Sequence, residues 1–192
     1  QVVYFGLAVE GSNTLLPGSP LYSAEDRALW ARFDLKEANR LLDELGLTRR
    51  DGRGVRLLPD GRPMEVVVET AGEDSEQTDV LELIHDTWME AGIKLFAKPS
   101  QREVFRSRIF SGQTVMSVWP GLENALPTAS MSPEEFAPTS QQQLQWPKWG
   151  EYTETNATNG EPAEDPVARK LLDLVHQWRH DSRLEERTRV WR

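Results

Sequence analysis

The stretch from Arg62 to Trp119 constrains the fold most, because its apolar residues switch repeatedly between the two-residue period of strands and the 3.6-residue period of helices. An apolar run, Met64 to Thr70, contains the β-branched triplet Val66-Val67-Val68. A long amphipathic segment then reaches Ala91, with Val80, Leu81, Ile84, Trp88 and Met89 on one face and Gly92 at its end. A second run, Ile93 to Ala97, a short helical segment, Arg102 to Ser111, and a third run, Thr114 to Trp119, complete a β-α-β-α-β pattern. Strands separated by helical segments of this length are joined by crossovers and run parallel. The expected fold class is therefore α/β, a mostly parallel central sheet flanked by helices, with residues 62–119 as its core. Ser100 and Glu103 have capping-box spacing ahead of the shorter helix, and Gly112 closes it.

The flanks are read by the same chemistry. Asp34-Leu35-Lys36-Glu37 is a D-x-x-E cap for a helix over Leu35 to Leu45, whose Leu35, Ala38, Leu41, Leu42 and Leu45 recur at helical spacing before Gly46. Val55 to Leu57 reads as a short strand between two turns, and Asp60-Gly61 as a hairpin leading into the first long strand. Residues Gln1 to Ala8 read as the last turn of a helix, and Glu10 to Ser23, rich in Gly, Ser, Asn and Pro, as an extended loop. After Pro120 four prolines and the tract Ser140-Gln141-Gln142-Gln143 predict an irregular region with short helices near Ser132 to Phe136 and Gln143. Glu151 to Asp165 reads as an exposed loop. Pro166 starts the last long helix, and Ser182 with Glu185 caps a final one.

The chain has 192 residues, enough for one domain or at most two small ones. Its 22 Lys and Arg against 31 Asp and Glu give a formal charge of -9, which argues against a nucleic acid partner. Cysteine is absent, so neither disulfides nor thiolate chemistry is available, and the count fits cytosol and periplasm equally. No apolar run approaches a membrane span, and no signal-peptide pattern opens the chain. It begins at Gln1 and closes on Val190-Trp191-Arg192 in mid-helix pattern, so it reads as a fragment.

Candidate chemistry is sparse. His176 and His180 stand four apart on one helix, but no third ligand is near them in sequence, and Glu82 with His85 reads as a surface pair. No G-x-S-x-G elbow or phosphate-binding Gly-rich loop occurs, so no catalytic residue, metal or cofactor is expected. Asn156-Ala157-Thr158 matches a glycosylation tripeptide of a kind common by chance. The seven tryptophans say more. Trp30, Trp88, Trp178 and Trp191 lie in helical patterns and read as core or interface residues. Trp119 lies at a strand end, and Trp146 and Trp149 lie in the Pro-rich region, where aromatic rings can wall a ligand pocket. In an open parallel sheet ligands gather outside the carboxyl ends of strands, which is where Trp119 falls.

Four segments together resemble the extracellular solute-binding proteins of ABC importers, in the class of dipeptide, oligopeptide, nickel and opine binders. Phe33-Asp34-Leu35-Lys36-Glu37-Ala38-Asn39-Arg40-Leu41-Leu42-Asp43-Glu44-Leu45-Gly46 is similar to the family's "YD-x-x-x-A-x-x-L-L-x-E-x-G" helix. Leu58-Pro59-Asp60-Gly61-Arg62-Pro63 resembles its "PDG-x-P" turn, Trp88 to Leu95 its "L-x-x-I-G-I-x-V" segment, and Phe105 to Trp119 its stretch ending in tryptophan. Glu185 to Trp191 resembles a late "x-x-R-x-x-x-W" helix. The resemblance implies a type II periplasmic-binding-protein lobe, with residues 1–192 as the C-terminal ligand-binding lobe and the N-terminal lobe and final returning segment absent. It implies a periplasmic protein, not an enzyme, that captures a peptide, opine-like or sugar-conjugate solute by closing two lobes and delivers it to a membrane permease. Trp119 would be an apolar wall, Glu123 and Asn124 polar contacts, with Trp146 and Trp149 as further ligand-binding candidates.

Two positions depart from the family pattern. The acidic residue often found three after the tryptophan is replaced by Leu122, with Glu123 next, and Gly112 is followed by Gln113-Thr114 rather than by the family's Asp. The recognised group is thus open between a free peptide amine and another polar solute. Two other readings stand beside this one: an α/β enzyme domain whose catalytic residues lie elsewhere, marked by clustering of His85, His176 and His180 with a carboxylate, and a structural or interaction domain, marked by a flat, filled sheet end.

Overall fold

β-branched residues place Glu65–Thr70 (β1) at the centre of a three-stranded sheet in the computed structural model, which describes residues 4–7, 9–73, 75–119 and 126–192. Lys94–Pro99 (β2) and Met116–Ser117 (β3) flank β1, and both run parallel to it. The register pairs Val68 with Ala97 on one side and with Met116 on the other. Ser75–Ala91 (labelled α3, after two earlier helices) connects β1 to β2, and Arg102–Phe110 (α4) connects β2 to β3. The β-α-β-α-β reading and the parallel sheet are therefore what the chain forms.

Two compact units partition the chain. One takes in Gln1–Val9, Arg32–Arg106 and Thr114–Trp119, the other Glu10–Ala31, Ser107–Gln113 and Pro120–Arg192. In the first unit, successive residues of β1 face opposite ways. Val68, Leu81 and Leu95 form the buried centre, and Val66, Ile84, Trp88 and Val118 pack around it. Val67, on the other face of β1, is 42% exposed. Each fully buried side chain of this set contributes about 1.5–3 kcal/mol.

The third strand is shorter than Thr114 to Trp119. Its ladder with β1 holds only two residue pairs, and Val115 is almost fully exposed, so nothing extends the pairing toward Thr114. Val118 still donates its N–H to the Glu69 carbonyl at 3.0 Å. Val55 to Leu57 is not a strand but part of two isolated antiparallel bridges, Arg50 with Arg56 and Leu57 with Pro63. The Asp60-Gly61 turn forms as read, with Leu58 N–H to Arg62 carbonyl at 2.8 Å.

Leu35–Glu44 (α2) begins at Asp34, whose carboxylate accepts from the Glu37 N–H at 2.9 Å. Glu37 does not reach back; it accepts from Arg40 one turn on, at 2.5 and 2.7 Å. Ser100 does not cap α4 either, because the helix starts one residue later than the box requires. Its Oγ is buried without a partner among the described residues.

Arg56 ties this unit together. Its guanidinium is 2% exposed and donates to the Ala91 carbonyl at 2.7 Å, to Asn39 Oδ1 at 2.8 Å, to Asp43 at 2.5 Å and to the Leu47 carbonyl. These acceptors close the carboxyl ends of α2 and α3 over the bridge segment.

In the second unit Leu15, Leu21 and Ala129 form a buried cluster against which Trp191 packs. A short helix not anticipated from the sequence, Ala24–Ala28 (α1), is capped by Ser23, whose hydroxyl accepts from the Asp26 N–H at 3.1 Å. Trp30 follows it at φ 54° and is 79% exposed, so it is neither helical nor a core residue. Glu134–Phe136 is a 3-10 turn within the predicted Ser132 to Phe136 segment. Pro147–Glu154 (α5) takes up residues expected to be loop, because a proline at the first helical position starts a helix rather than breaking one.

Pro166–His180 (α6) and Leu184–Trp191 (α7) match their readings, except for the cap of α7. Arg183, not Ser182, is the N-cap residue and makes no side-chain cap bond; Asp181 turns the chain instead, accepting from the Arg183 N–H at 2.9 Å. Trp178 and Trp191 pin the irregular region by donating their indole N–H groups to the carbonyls of Ala129 at 2.8 Å and Met131 at 3.0 Å.

The side-chain hydrogen bond from Arg183, then its N–H, hold the Asp181 carboxyl at about 2 against an ordinary 3.8. A depressed folded-state value stabilises the fold above the unfolded value and loses that contribution as pH falls through the folded one. The turn into α7 should therefore persist at pH 3.8 and open toward pH 2. A carboxyl-carbon titration by NMR should give Asp181 a midpoint near 2, and a midpoint at the ordinary value would show the Arg183 bonds to be absent in solution.

Candidate functional site

The strand order β2-β1-β3 sets where a site can form. The carboxyl ends of β1 and β2 are neighbours in it, and from them the chain leaves toward α3 and α4. In an open parallel sheet ligands gather outside such strand ends. An open cleft of about 480 Å³ lies at the carboxyl ends of β1 and β2, lined by Ala71, Gly72 and Glu73 after β1 and by Pro99, Ser100, Gln101, Arg102 and Glu103 at the end of β2 and the start of α4.

Gly72 lets the two loops approach. It sits at φ +65°, and a Cβ there would stand 2.9 Å from the Ser100 carbonyl oxygen.

Arg102, the first residue of α4, donates from its Nε and a terminal nitrogen to the two Glu73 oxygens at 2.7 and 2.5 Å. Both side chains are about half exposed. The hydrogen bonding from Arg102 keeps the Glu73 carboxyl below its ordinary value, against the opposing effect of burial, and in turn raises the guanidinium. The pair therefore stays ionised at neutral pH.

The Arg102 guanidinium also lies 5.4 Å from the centre of the Trp119 ring. Trp119 is half-buried and stacks on the fully buried Phe105 of α4, with ring centres 5.6 Å apart. Cleft residues and Trp119 thus form one connected set: Glu73 to Arg102, Arg102 to Trp119, Trp119 to Phe105.

Trp119, expected as the last residue of the third strand, stands two residues beyond the end of β3. Trp146 and Trp149 belong to the other unit, at the N-cap and in the first turn of α5, and both are half-buried. Glu123 and Asn124 lie outside the described residues. Glu73 and Arg102 were not singled out in the sequence. The available signal was positional: each stands three residues after the end of a strand of the parallel sheet.

The histidines stay apart from any carboxylate cluster. His85 Nδ1 lies 3.2 Å from Asp86, the His176 and His180 rings are 6.0 Å apart, and no group of three metal-ligating side chains occurs among the described residues. No described helix is long and apolar enough to cross a membrane.

Residues 1–143 match the family model described as bacterial extracellular solute-binding proteins, family 5 middle. The chain belongs to this family. Family 5 proteins are solute-binding proteins rather than enzymes. No curated protein sequence matches the chain.

Among solved structures, an oligopeptide-binding protein OppA shares 27% identity with a TM-score of 0.81 over 97% of this chain. The periplasmic binding protein MelB of Agrobacterium fabrum C58, solved with stachyose, superposes over 95% of the chain at 17% identity and a TM-score of 0.71. NikA from Brucella suis, solved with Fe(III)-EDTA, does so over 95% at 18% identity and a TM-score of 0.64. The last two likenesses carry the fold alone. The chain spans 31%, 26% and 33% of these three proteins.

Proposed function

We propose that residues 1–192 are the C-terminal ligand-binding lobe of a periplasmic solute-binding protein of an ABC importer. The observation that carries this reading is an open cleft at the carboxyl ends of a parallel sheet in a chain of family 5. In this reading the lobe closes with an N-terminal lobe around a small solute, and the closed form docks on the membrane permease. Trp119 is the apolar wall, Glu123 and Asn124 are polar contacts, and Trp146 and Trp149 are aromatic contacts from α5. The solute belongs to the range spanned by oligopeptides, opines and sugar conjugates, in keeping with an OppA and a stachyose-bound MelB among similar folds.

A thermal-shift screen of the full-length protein against peptides, opines and oligosaccharides tests it. A ligand at a hundred times its Kd stabilises the native state by about 2.7 kcal/mol, which raises the midpoint by roughly 2–4 °C in a protein about three times as long as this chain. A flat response to all three classes would count against the reading.

Trp119→Ala should weaken the solute identified in that screen by about tenfold or more, because it removes an aromatic wall and releases Arg102 from its platform. Isothermal titration measures the loss, and unchanged affinity would remove Trp119 from the site.

A further inference from the structure

We propose that Arg102 selects the solute of this cleft, by binding a carboxylate of the solute in place of Glu73. The inference rests on the reading of the cleft as the solute site and names the group that the site recognises.

The cleft already holds a carboxylate in the position required. Glu73 takes the Arg102 fork at 2.7 and 2.5 Å, through Nε and a terminal nitrogen, which is the side-on geometry in which arginine binds planar anions. The guanidinium is held in orientation from its other side by the Trp119 ring, 5.4 Å away, and that ring is backed by Phe105. Arg102 therefore keeps its contact with Trp119 when Glu73 leaves.

Glu73 is the exchangeable partner. It sits on the short link after β1, beside Gly72 at φ +65°, and its side chain is half exposed, so it can return to water without burying a charge. Replacing one carboxylate by another conserves both charge-assisted bonds to Arg102. Ser100, on the same wall, has a buried Oγ with no partner among the described residues. Arg102 opens α4, a nine-residue helix, so the unpaired N–H groups of its first turn lie on this side as well.

A cationic group fits less well. Both Glu73 oxygens already accept from Arg102, and an amine drawn to them would lie beside the guanidinium. Glu103, also on the lining, sits in the first turn of α4, where its charge favours the helix N-terminus.

The test uses the full-length protein and two libraries of tetrapeptides built from alanine, leucine, phenylalanine and serine, one with free carboxyl termini and one amidated, together with stachyose. Bound species are read by native mass spectrometry and affinities by titration. Acid peptides should be retained and their amides lost. Arg102→Gln should weaken the acids by about ten- to a hundredfold, and Arg102→Lys, which keeps the charge but not the fork, should recover only part of that. Glu73→Gln removes the competing carboxylate and should tighten the acids several-fold.

Equal retention of acids and amides, or retention of stachyose alone, would overturn the role of Arg102 while leaving solute binding intact. Tightening that fails to appear in Glu73→Gln, with circular dichroism unchanged, would overturn the exchange. Retention of none of the three probes would count against both the exchange and the solute-binding reading itself.

Discussion

Replacing Arg56 with methionine should lower the stability of the protein by about 2–3 kcal/mol, a drop of roughly 8 °C in Tm. The reason lies in what the guanidinium satisfies. The Ala91 and Leu47 carbonyls and Asn39 Oδ1 receive its N–H groups where water does not reach the arginine, which is 2% exposed. The Leu47 carbonyl loses its donor outright, whereas Asn39 Oδ1 and the Ala91 carbonyl keep Arg50 at 2.7 and 3.3 Å, and each buried acceptor left without a donor costs about 1–3 kcal/mol. Methionine restores part of the packed volume and none of the donors.

The ion pair with Asp43 is the smaller part of this effect. Asp43 is 54% exposed, so Asp43→Asn should cost no more than about 1 kcal/mol. Urea unfolding of the two variants separates the contributions. Equal losses would mean that the charge pair, not the carbonyl capping, holds the ends of α2 and α3.

Gly150→Ala should also destabilise strongly, by about 3 kcal/mol or more, at a position where helix propensity predicts a gain. Alanine within a helix is ordinarily favoured over glycine by about 1 kcal/mol. Here a Cβ would stand 2.1 Å from the Ser140 carbonyl oxygen and 2.3 Å from its carbon, so backbone must move. That backbone is fixed. The Gln143 side-chain amide accepts from the N–H groups of Thr139 at 2.9 Å and Ser140 at 3.1 Å, and donates to the Glu134 carbonyl at 2.6 Å.

Overpacking against an immobile backbone falls at the severe end of small-to-large changes. Because α5 carries Trp146 and Trp149, the same variant should also perturb tryptophan fluorescence. A neutral or stabilising outcome in thermal unfolding would show that the 139–143 turn yields.

The legibility of this chain followed the range of the forces involved. α2, α3 and α6 were readable because their apolar stripes and capping residues are local, and the parallel sheet was readable because alternating strand and helix leaves few other connections. Local signals misled where one residue of register mattered. Ser100 has the spacing of a cap but lies one residue short of α4, and Ser182 likewise lies one residue before Arg183, the N-cap of α7. Pro147 was read as a breaker and is a helix start, since the same ring constraint serves both roles. The polar tract around Gln143 reads as irregular with a short helix, and it forms instead a turn that the Gln143 amide staples and against which Gly150 packs.

The candidate site divides in the same way. The residues alone put Trp119 at the carboxyl end of the third apolar run, two residues beyond where β3 stops at Ser117, and the -9 charge argued against a nucleic acid partner. Only tertiary structure brought Glu73 and Arg102 together from separate strand ends and laid the guanidinium over Trp119. Those contacts depend on strand order and on Gly72 allowing two loops to meet, and neither leaves a periodic trace in the sequence. Hydrophobic period is a local property of a segment; the pairing of charges across a sheet end is set by which strands are neighbours.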